Sequence, residues 1–248
     1  MNKHDRPPGR RSIAIICLSV LCAGLIGCIM FQTKYVQDQL KEFGLLDSTH
    51  ENSQTIASWN TYLEKQNIDA DIVFFGDSLT RRYDFQSAFP GKTVVNLGFS
   101  GDSILDMTKR VYMLETVRPE KVFLMAGINS LKNEKMIHKY YRQYVELCGM
   151  VRAAVPSARL YIQSVLPISP SYDHRFLGGI RGVNNRFIVR FNTMIHQYAD
   201  DHGLTYIDLY PVYEKNGALN PDYAEDDFHI TKDAYHFWTE AIEEYVNE

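Results

Sequence analysis

Several patterns are missing from this sequence, and each absence excludes a class of function. There is no HxH or HExxH pair and no Cys/His cluster, so no metal centre is expected. No glycine-rich loop of the phosphate-cradling kind occurs, and a reaction without any cofactor is expected. A basic excess is missing too: 26 Lys and Arg face 30 Asp and Glu, a net charge of -4. That argues against a nucleic-acid partner, which needs a basic face to meet phosphates. Disulfides cannot brace the body. Of the 4 cysteines, Cys17, Cys22 and Cys28 share one apolar run, which leaves Cys148 alone further on. Cys148 lies in an apolar helical stripe, where a thiol is a small buried hydrophobe rather than a nucleophile. Repeats, low-complexity tracts and Pro-rich linkers are absent as well. With 248 residues, 45% of them hydrophobic, the chain suits one globular domain plus an extra segment.

The extra segment is at the N-terminus. Residues 12–31 form a run of 20 without a single charge. As a helix this run spans about 30 Å, the thickness of a hydrocarbon core. Lys3, Arg6, Arg10 and Arg11 precede it against Asp5 alone, so residues 1–11 carry +3 and the remainder -7. The positive-inside rule then puts residues 1–11 in the cytoplasm and the body on the extracytoplasmic side. Leu25-Ile26-Gly27-Cys28 resembles a lipoprotein signal, in which cleavage precedes a lipidated Cys28. The apolar run continues through Ile29, Met30 and Phe31, which favours an uncleaved anchor. Both readings tether the body to a membrane.

Residues 32–67 read as a stem with a lead-in helix over 56–66. From residue 68 the pattern turns regular. Apolar runs at 72–75, 93–97, 122–126, 160–165 and 205–209 are continuous, as in strands covered on both faces. Between and after them come stripes at 3–4 spacing: Ile104 to Leu114, Met136 to Val151, Phe187 to Tyr198 and Tyr235 to Tyr245. Alternating strands and helices predict a three-layer α/β/α sandwich with a five-stranded parallel sheet over 68–248. Such sheets bind ligands beyond the carboxyl ends of their strands.

Those ends carry the chemistry. The first run leads into Gly76-Asp77-Ser78-Leu79, with Ser78 at a strand-to-helix corner; Asp77 or Ser78 could equally be a plain helix cap. The second ends in Asn96-Leu97-Gly98-Phe99-Ser100-Gly101-Asp102, where Gly98 allows close approach of a backbone N–H. The third ends in Gly127-Ile128-Asn129-Ser130, and the Asn129 amide can donate to an oxyanion. Near the C-terminus, Asp226 stands three residues before His229, the spacing by which a carboxylate orients an imidazole base. Asp47/His50 and Asp233/His236 share that spacing, but the first pair lies in the stem and His236 inside the last helical stripe. His138, His196 and His202 sit on or just after helices and read as surface or packing residues.

Together these four signals resemble the SGNH/GDSL hydrolases, over about residues 68–248. GFSGD after the second strand and the run 122–129 resemble the platelet-activating-factor acetylhydrolase-like branch. The resemblance implies a flavodoxin-like SGNH fold and a serine esterase. Ser78 would be the nucleophile, His229 the base and Asp226 its orienting acid. The Ser78 N–H, the Gly98 N–H and Asn129 would form the oxyanion hole. Two positions depart from the family: Asp227 stands where Gly is frequent, and Ser130 where an acid or amide often follows the Asn.

The expected activity is hydrolysis of short-chain, chiefly acetyl, esters on an acylated small molecule, glycan or lipid. A lysophospholipase- or thioesterase-type acylhydrolase, an O-acyltransferase on envelope glycans and a non-catalytic envelope-binding module stay open. Residues 167–185 form a long mixed stretch on the site's side of the sheet. Tyr172, His174, Arg175 or Arg181 could read a sugar or carboxylate there, or the stretch could be a variable surface loop.

Overall fold

The computed structural model describes residues 50–173, 176–177, 180–181 and 183–248. The anchor expected at 12–31, Cys28 within it and Asp47 of the pair Asp47/His50 lie outside what is described, as do His174 and Arg175. Among the described residues no helix is long and apolar enough to cross a membrane.

Helix His50–Gln66 is the first described element and contains the lead-in helix expected at 56–66. The strands follow in order: β1 (Ile72–Gly76), β2 (Val94–Gly98), β3 (Lys121–Leu124), β4 (Arg159–Gln163), the short β5 (Phe176–Leu177) and β6 (Ile180–Arg181), β7 (Thr205–Ile207), then β8 (Glu214–Lys215) and β9 (Ala218–Leu219). β5–β6 and β8–β9 are two-stranded antiparallel ribbons. The main sheet runs β2-β1-β3-β4-β7, and each neighbouring pair is parallel. This is the five-stranded parallel sheet that the sequence pattern predicts, in the flavodoxin-like order that the resemblance implies.

Both faces of the sheet are covered, which explains the unbroken apolar runs. Along β1, Val73 and Phe75 join one buried cluster with Leu97, Leu124, Tyr144 and Phe191. Ile72 and Phe74 point the other way, into a cluster built on Phe123, Tyr161 and Trp238. Two asparagines fasten helix Asn185–Asp201 to the chain beyond β4. Asn192 accepts from the Val165 N–H at 2.9 Å and donates to its carbonyl at 2.8 Å. Asn185 brackets Ile168 in the same way, both bonds at 2.9 Å.

One helical stripe departs from expectation. The span from Ile104 to Leu114 forms two short helices, Ile104–Thr108 and Tyr112–Val117, not one. In the break between them Arg110 turns inward and is 1% exposed.

The order of the strands positions the site. The chain leaves β1 toward β2, then returns to pair β3 on the opposite side of β1. The crevice at such a reversal lies beyond the carboxyl ends of β1 and β3. Ser78 follows β1 directly, and Asn129 lies five residues after the end of β3.

Candidate active site

Asp77 begins the site as a helix cap. Its Oδ1 accepts the Leu79 N–H at 3.0 Å and starts helix Ser78–Arg81. The capping role and the functional one coexist. The cap fixes the corner, and the corner leaves Ser78 half-buried with its Oγ turned to the crevice. No hydrogen bond engages the Ser78 N–H among the described residues.

Ser78 Oγ lies 2.9 Å from His229 Nε2. His229 Nδ1 lies 2.7 Å from Asp226 Oδ2. The loop is held as a tight turn: Glu225 N–H reaches the His229 carbonyl at 2.8 Å, and Ala224 bridges Ile230. Burial works to raise the Asp226 pKa. The N–H groups of Phe228 and His229 and the imidazole outweigh it and hold the carboxyl at about 2. An ionised carboxylate only accepts hydrogen bonds, so the proton of a neutral His229 sits on Nδ1. Nε2 then has its lone pair directed at the Ser78 hydroxyl.

Asn129 is drawn to the same place. Its Nδ2 donates to the Asp102 carbonyl at 3.0 Å and more weakly to Asp77 Oδ2 at 3.4 Å. The second bond is at the limit of a useful one, so that hydrogen is the one an incoming oxygen can capture.

Gly98 requires a correction. It reaches the expected strand end, but its N–H already donates to Asn96 Oδ1 at 2.8 Å. The close approach it permits is to protein, not ligand: a Cβ here would sit 2.3 Å from the Arg81 backbone nitrogen. The free donor on this loop is three residues on. Gly101 is exposed, adopts φ +81°, and its N–H has no partner among the described residues. Its neighbour Asp102 supplies the carbonyl that Asn129 binds. The sequence carries a signal for it, a glycine in a Gly-Asp turn just before the capping Ser103.

A second residue that the sequence reading passed over is Arg110, an arginine inside an apolar stripe. Beneath the site it donates to Asp102 and to two strand-end carbonyls, with its guanidinium over the Phe75 and Phe99 rings. Burial pushes the Asp102 pKa up and the Arg110 pKa down, and their attraction offsets only part of this. Burial also lifts Asp77, to about 7, with Asp102 adding repulsion against the pull of the Leu79 N–H and Arg110.

The two departures from the family pattern have structural work. Ser130 Oγ accepts the Ile104 N–H at 2.9 Å and joins the Asn129 loop to the helix after Asp102. Asp227 Oδ1 accepts from Ser169 Oγ at 2.6 Å and Ser171 Oγ at 2.7 Å. It clamps the start of the stretch after β4 onto the His229 loop. Tyr172 is there too, edge-on to Phe228 with ring centroids 5.5 Å apart. Arg181 lies in β6. His236 is exposed, and its ring Nδ1 bonds the Asp233 carbonyl. Cys148 is buried and burial pushes its thiol up, as befits an inert core residue.

Ser78, His229 and Asp226 thus form a hydrogen-bonded relay beyond the strand ends of an α/β fold with a five-stranded parallel sheet. The GDSL-like lipase/acylhydrolase family model matches residues 74–237, and the chain belongs to that family. Solved structures share the fold. A Streptococcus pneumonia protein, proposed as a platelet activating factor, is 20% identical with TM-score 0.64, over 80% of this chain and 100% of that one. A GDSL-like lipase from Bacteroides thetaiotaomicron VPI-5482 is 20% identical with TM-score 0.63, over 79% and 97%. A lipolytic G-D-S-L family member from Veillonella parvula DSM 2008 is 19% identical with TM-score 0.54, over 70% and 96%. No curated protein matches the chain.

Proposed function

We propose that the chain is a serine esterase for short acyl groups, with Ser78, His229 and Asp226 as its triad. The observation that carries this is the continuous relay, 2.9 Å from Ser78 Oγ to His229 Nε2 and 2.7 Å from Nδ1 to Asp226. His229 Nε2 takes the hydroxyl proton as Ser78 Oγ attacks the ester carbonyl carbon. The carbonyl π electrons move to oxygen, where Asn129 Nδ2 and the Ser78 N–H donate, joined by the Gly101 N–H in place of Gly98. Collapse breaks the bond to the leaving alcohol, and His229 returns the proton to that oxygen. Water then loses a proton to His229 and attacks the acyl-enzyme. The acid departs and Ser78 regains its hydrogen. None of these steps needs a metal or cofactor.

The apolar run at 12–31 supports a body tethered on the extracytoplasmic side of a membrane. Deleting residues 1–31 is expected to leave a soluble esterase, because the sheet begins at Ile72. A truncated protein that folds by circular dichroism yet lacks turnover would assign the segment more than anchoring. Acyl size tests the substrate side. Across p-nitrophenyl esters of rising chain length, kcat/KM is expected to be highest for acetate or propionate. A maximum at octanoate or beyond would replace this reading with a lipase or thioesterase.

A further inference from the structure

Five large hydrophobic side chains are exposed among the described residues, and two of them, Trp59 (38%) and Tyr62 (49%), stand side by side. They sit three apart on helix His50–Gln66 and so share one flank. Their rings stack, with centroids 5.1 Å apart and planes 12° from parallel. The adjoining flank explains the helix itself, because Leu63 and Asn60 are buried there. Burial therefore does not account for the aromatic pair.

The pair lines one wall of an open cleft of about 880 Å³. The other wall is the outer edge of β2 and the end of helix Ser78–Arg81, and it includes Arg81 and Phe99. Arg81 is three residues beyond the nucleophile and exposed, and among the described residues no hydrogen bond or ion pair engages its guanidinium. Gln54 and Ser58 add amide and hydroxyl groups to the same wall as the aromatics. A parallel ring platform beside unused polar groups suits a ligand with one apolar face and a polar rim. A pyranose has that form, with axial C–H bonds on one face and hydroxyls around its edge. A lipid surface fits less well: it calls for a protruding apolar patch, whereas this is a concave cleft with a cation and amides in it.

We propose that this cleft is a carbohydrate-binding subsite, and that the ester cleaved at Ser78 is carried by a glycan. The link to cleavage rests on the esterase reading; sugar binding at the cleft does not. A sugar ring stacks on Trp59 and Tyr62, while Arg81 donates to its hydroxyls or to a ring carboxylate.

Two measurements test this on the full chain in detergent micelles. Only 2 tryptophans occur, and Trp238 is fully buried, so a ligand-induced change in fluorescence reports Trp59. The Ser78→Ala protein is titrated with acetylated xylo-oligosaccharide, a neutral probe, and with acetylated oligogalacturonide, an acidic one. Saturable binding of either, lost in Arg81→Ala, is the expected result; preference for the acidic probe assigns Arg81 to a carboxylate. No response to either overturns the subsite. Quenching of Trp59 by brominated phosphatidylcholine together with no sugar response overturns it in favour of a lipid surface.

In the second measurement, Trp59→Ala/Tyr62→Ala is expected to raise KM for the bound acetylated oligosaccharide by about tenfold, the scale of one lost aromatic contact. Turnover of p-nitrophenyl acetate, too small to span both places, is expected to stay within twofold or so of the wild type. Trp59→Phe retains a ring and is expected to restore much of the loss. Equal losses on both substrates, or none on either, overturn the proposal. Absence of p-nitrophenyl acetate turnover in the wild type would sink the esterase reading alone, because the Ser78→Ala titration does not depend on hydrolysis.

Discussion

Arg110 Nε lies 2.5 Å from Asp102 Oδ2, and the two side chains are 1% and 2% exposed. The other guanidinium nitrogens reach the Leu97 carbonyl at 2.9 Å and the Gly76 carbonyl at 2.8 Å. One buried cation thus ties the end of β1, the end of β2 and the loop whose Asp102 carbonyl holds Asn129. Such a pair seldom adds much net stability, but it sets geometry, and removing one partner strands the other.

Arg110→Leu is therefore expected to lower the unfolding free energy by about 3–5 kcal/mol at pH 8. The loss should be smaller at pH 5. Burial raises the Asp102 pKa, and without Arg110 it rises further, so at lower pH a proton neutralises the stranded carboxylate. Urea denaturation at the two pH values measures this. Equal destabilisation at both would mean that Asp102 is not the stranded charge.

Ser78→Ala is expected to cost a thousandfold or more in kcat/KM, leaving only what binding and the oxyanion donors provide, roughly the scale seen when a triad member is removed. His229→Ala should match it, and the double variant should add little, because the two act as one unit. Asp226→Asn should cost as much or less. His236→Ala and Asp233→Asn should stay within about tenfold, since surface substitutions of this kind shift stability only modestly. Turnover that survives His229→Ala but not His236→Ala would move the base to the last helix.

Asn129→Ala is expected to reduce kcat by roughly 10²–10³, the usual effect of losing one oxyanion donor. Asn96→Ala gives the complementary test. It releases the Gly98 N–H from its 2.8 Å bond but also removes two bonds from Asn96 Nδ2, to the Thr80 and Tyr83 carbonyls. Weakened folding without faster turnover is the expected outcome. A gain in kcat would return Gly98 to the oxyanion hole.

Asp227→Ala removes the acceptor shared by Ser169 and Ser171. The stretch after β4 is then held to the His229 loop more weakly, keeping the Ser169 N–H bond to the carbonyl of residue 227 at 2.7 Å. We expect little change on p-nitrophenyl acetate and a larger KM on bulky acyl-glycans. Loss of kcat on the small ester would show instead that the clamp positions His229.

The sheet was legible because both its faces are covered: Ile72 to Phe75 are buried throughout, so the strand appears as an unbroken apolar run. Ser78, Asn129 and His229 were legible because each follows or precedes an element whose period is plain. The oxyanion loop was harder. Gly98 and Gly101 are both small residues in one turn, and only the hydrogen-bond partner of each N–H separates them. Arg110 was hidden because helical spacing predicts one continuous stripe from Ile104 to Leu114. The break that turns it inward depends on carbonyls from β1 and β2, which are distant in sequence. The Trp59–Tyr62 platform has no periodic signature beyond a polar helix with two aromatics.

Asp77 yields a prediction whose sign runs opposite to that of Asp226. Burial lifts the folded Asp77 carboxyl to about 7, against 3.8 in the unfolded chain. Between those values the folded chain keeps a proton that the unfolded chain releases, so stability falls as pH rises. Below the lower value both states are protonated and Asp77 has no effect; above the upper one the full cost of burying the charge is present. Asp226, held at about 2, contributes stability that is complete above 3.8 and is lost as pH falls through 2. Asp77→Asn keeps an oxygen to accept the Leu79 N–H and a residue equally suited to capping. The interaction it gives up is the weak 3.4 Å one to Asn129. The variant is expected to need more urea than the wild type at pH 8, with the gap narrowing by pH 5. A variant less stable than the wild type at pH 8 would mean that the charged form of Asp77 is favoured in the fold, and that Arg110 outweighs its burial.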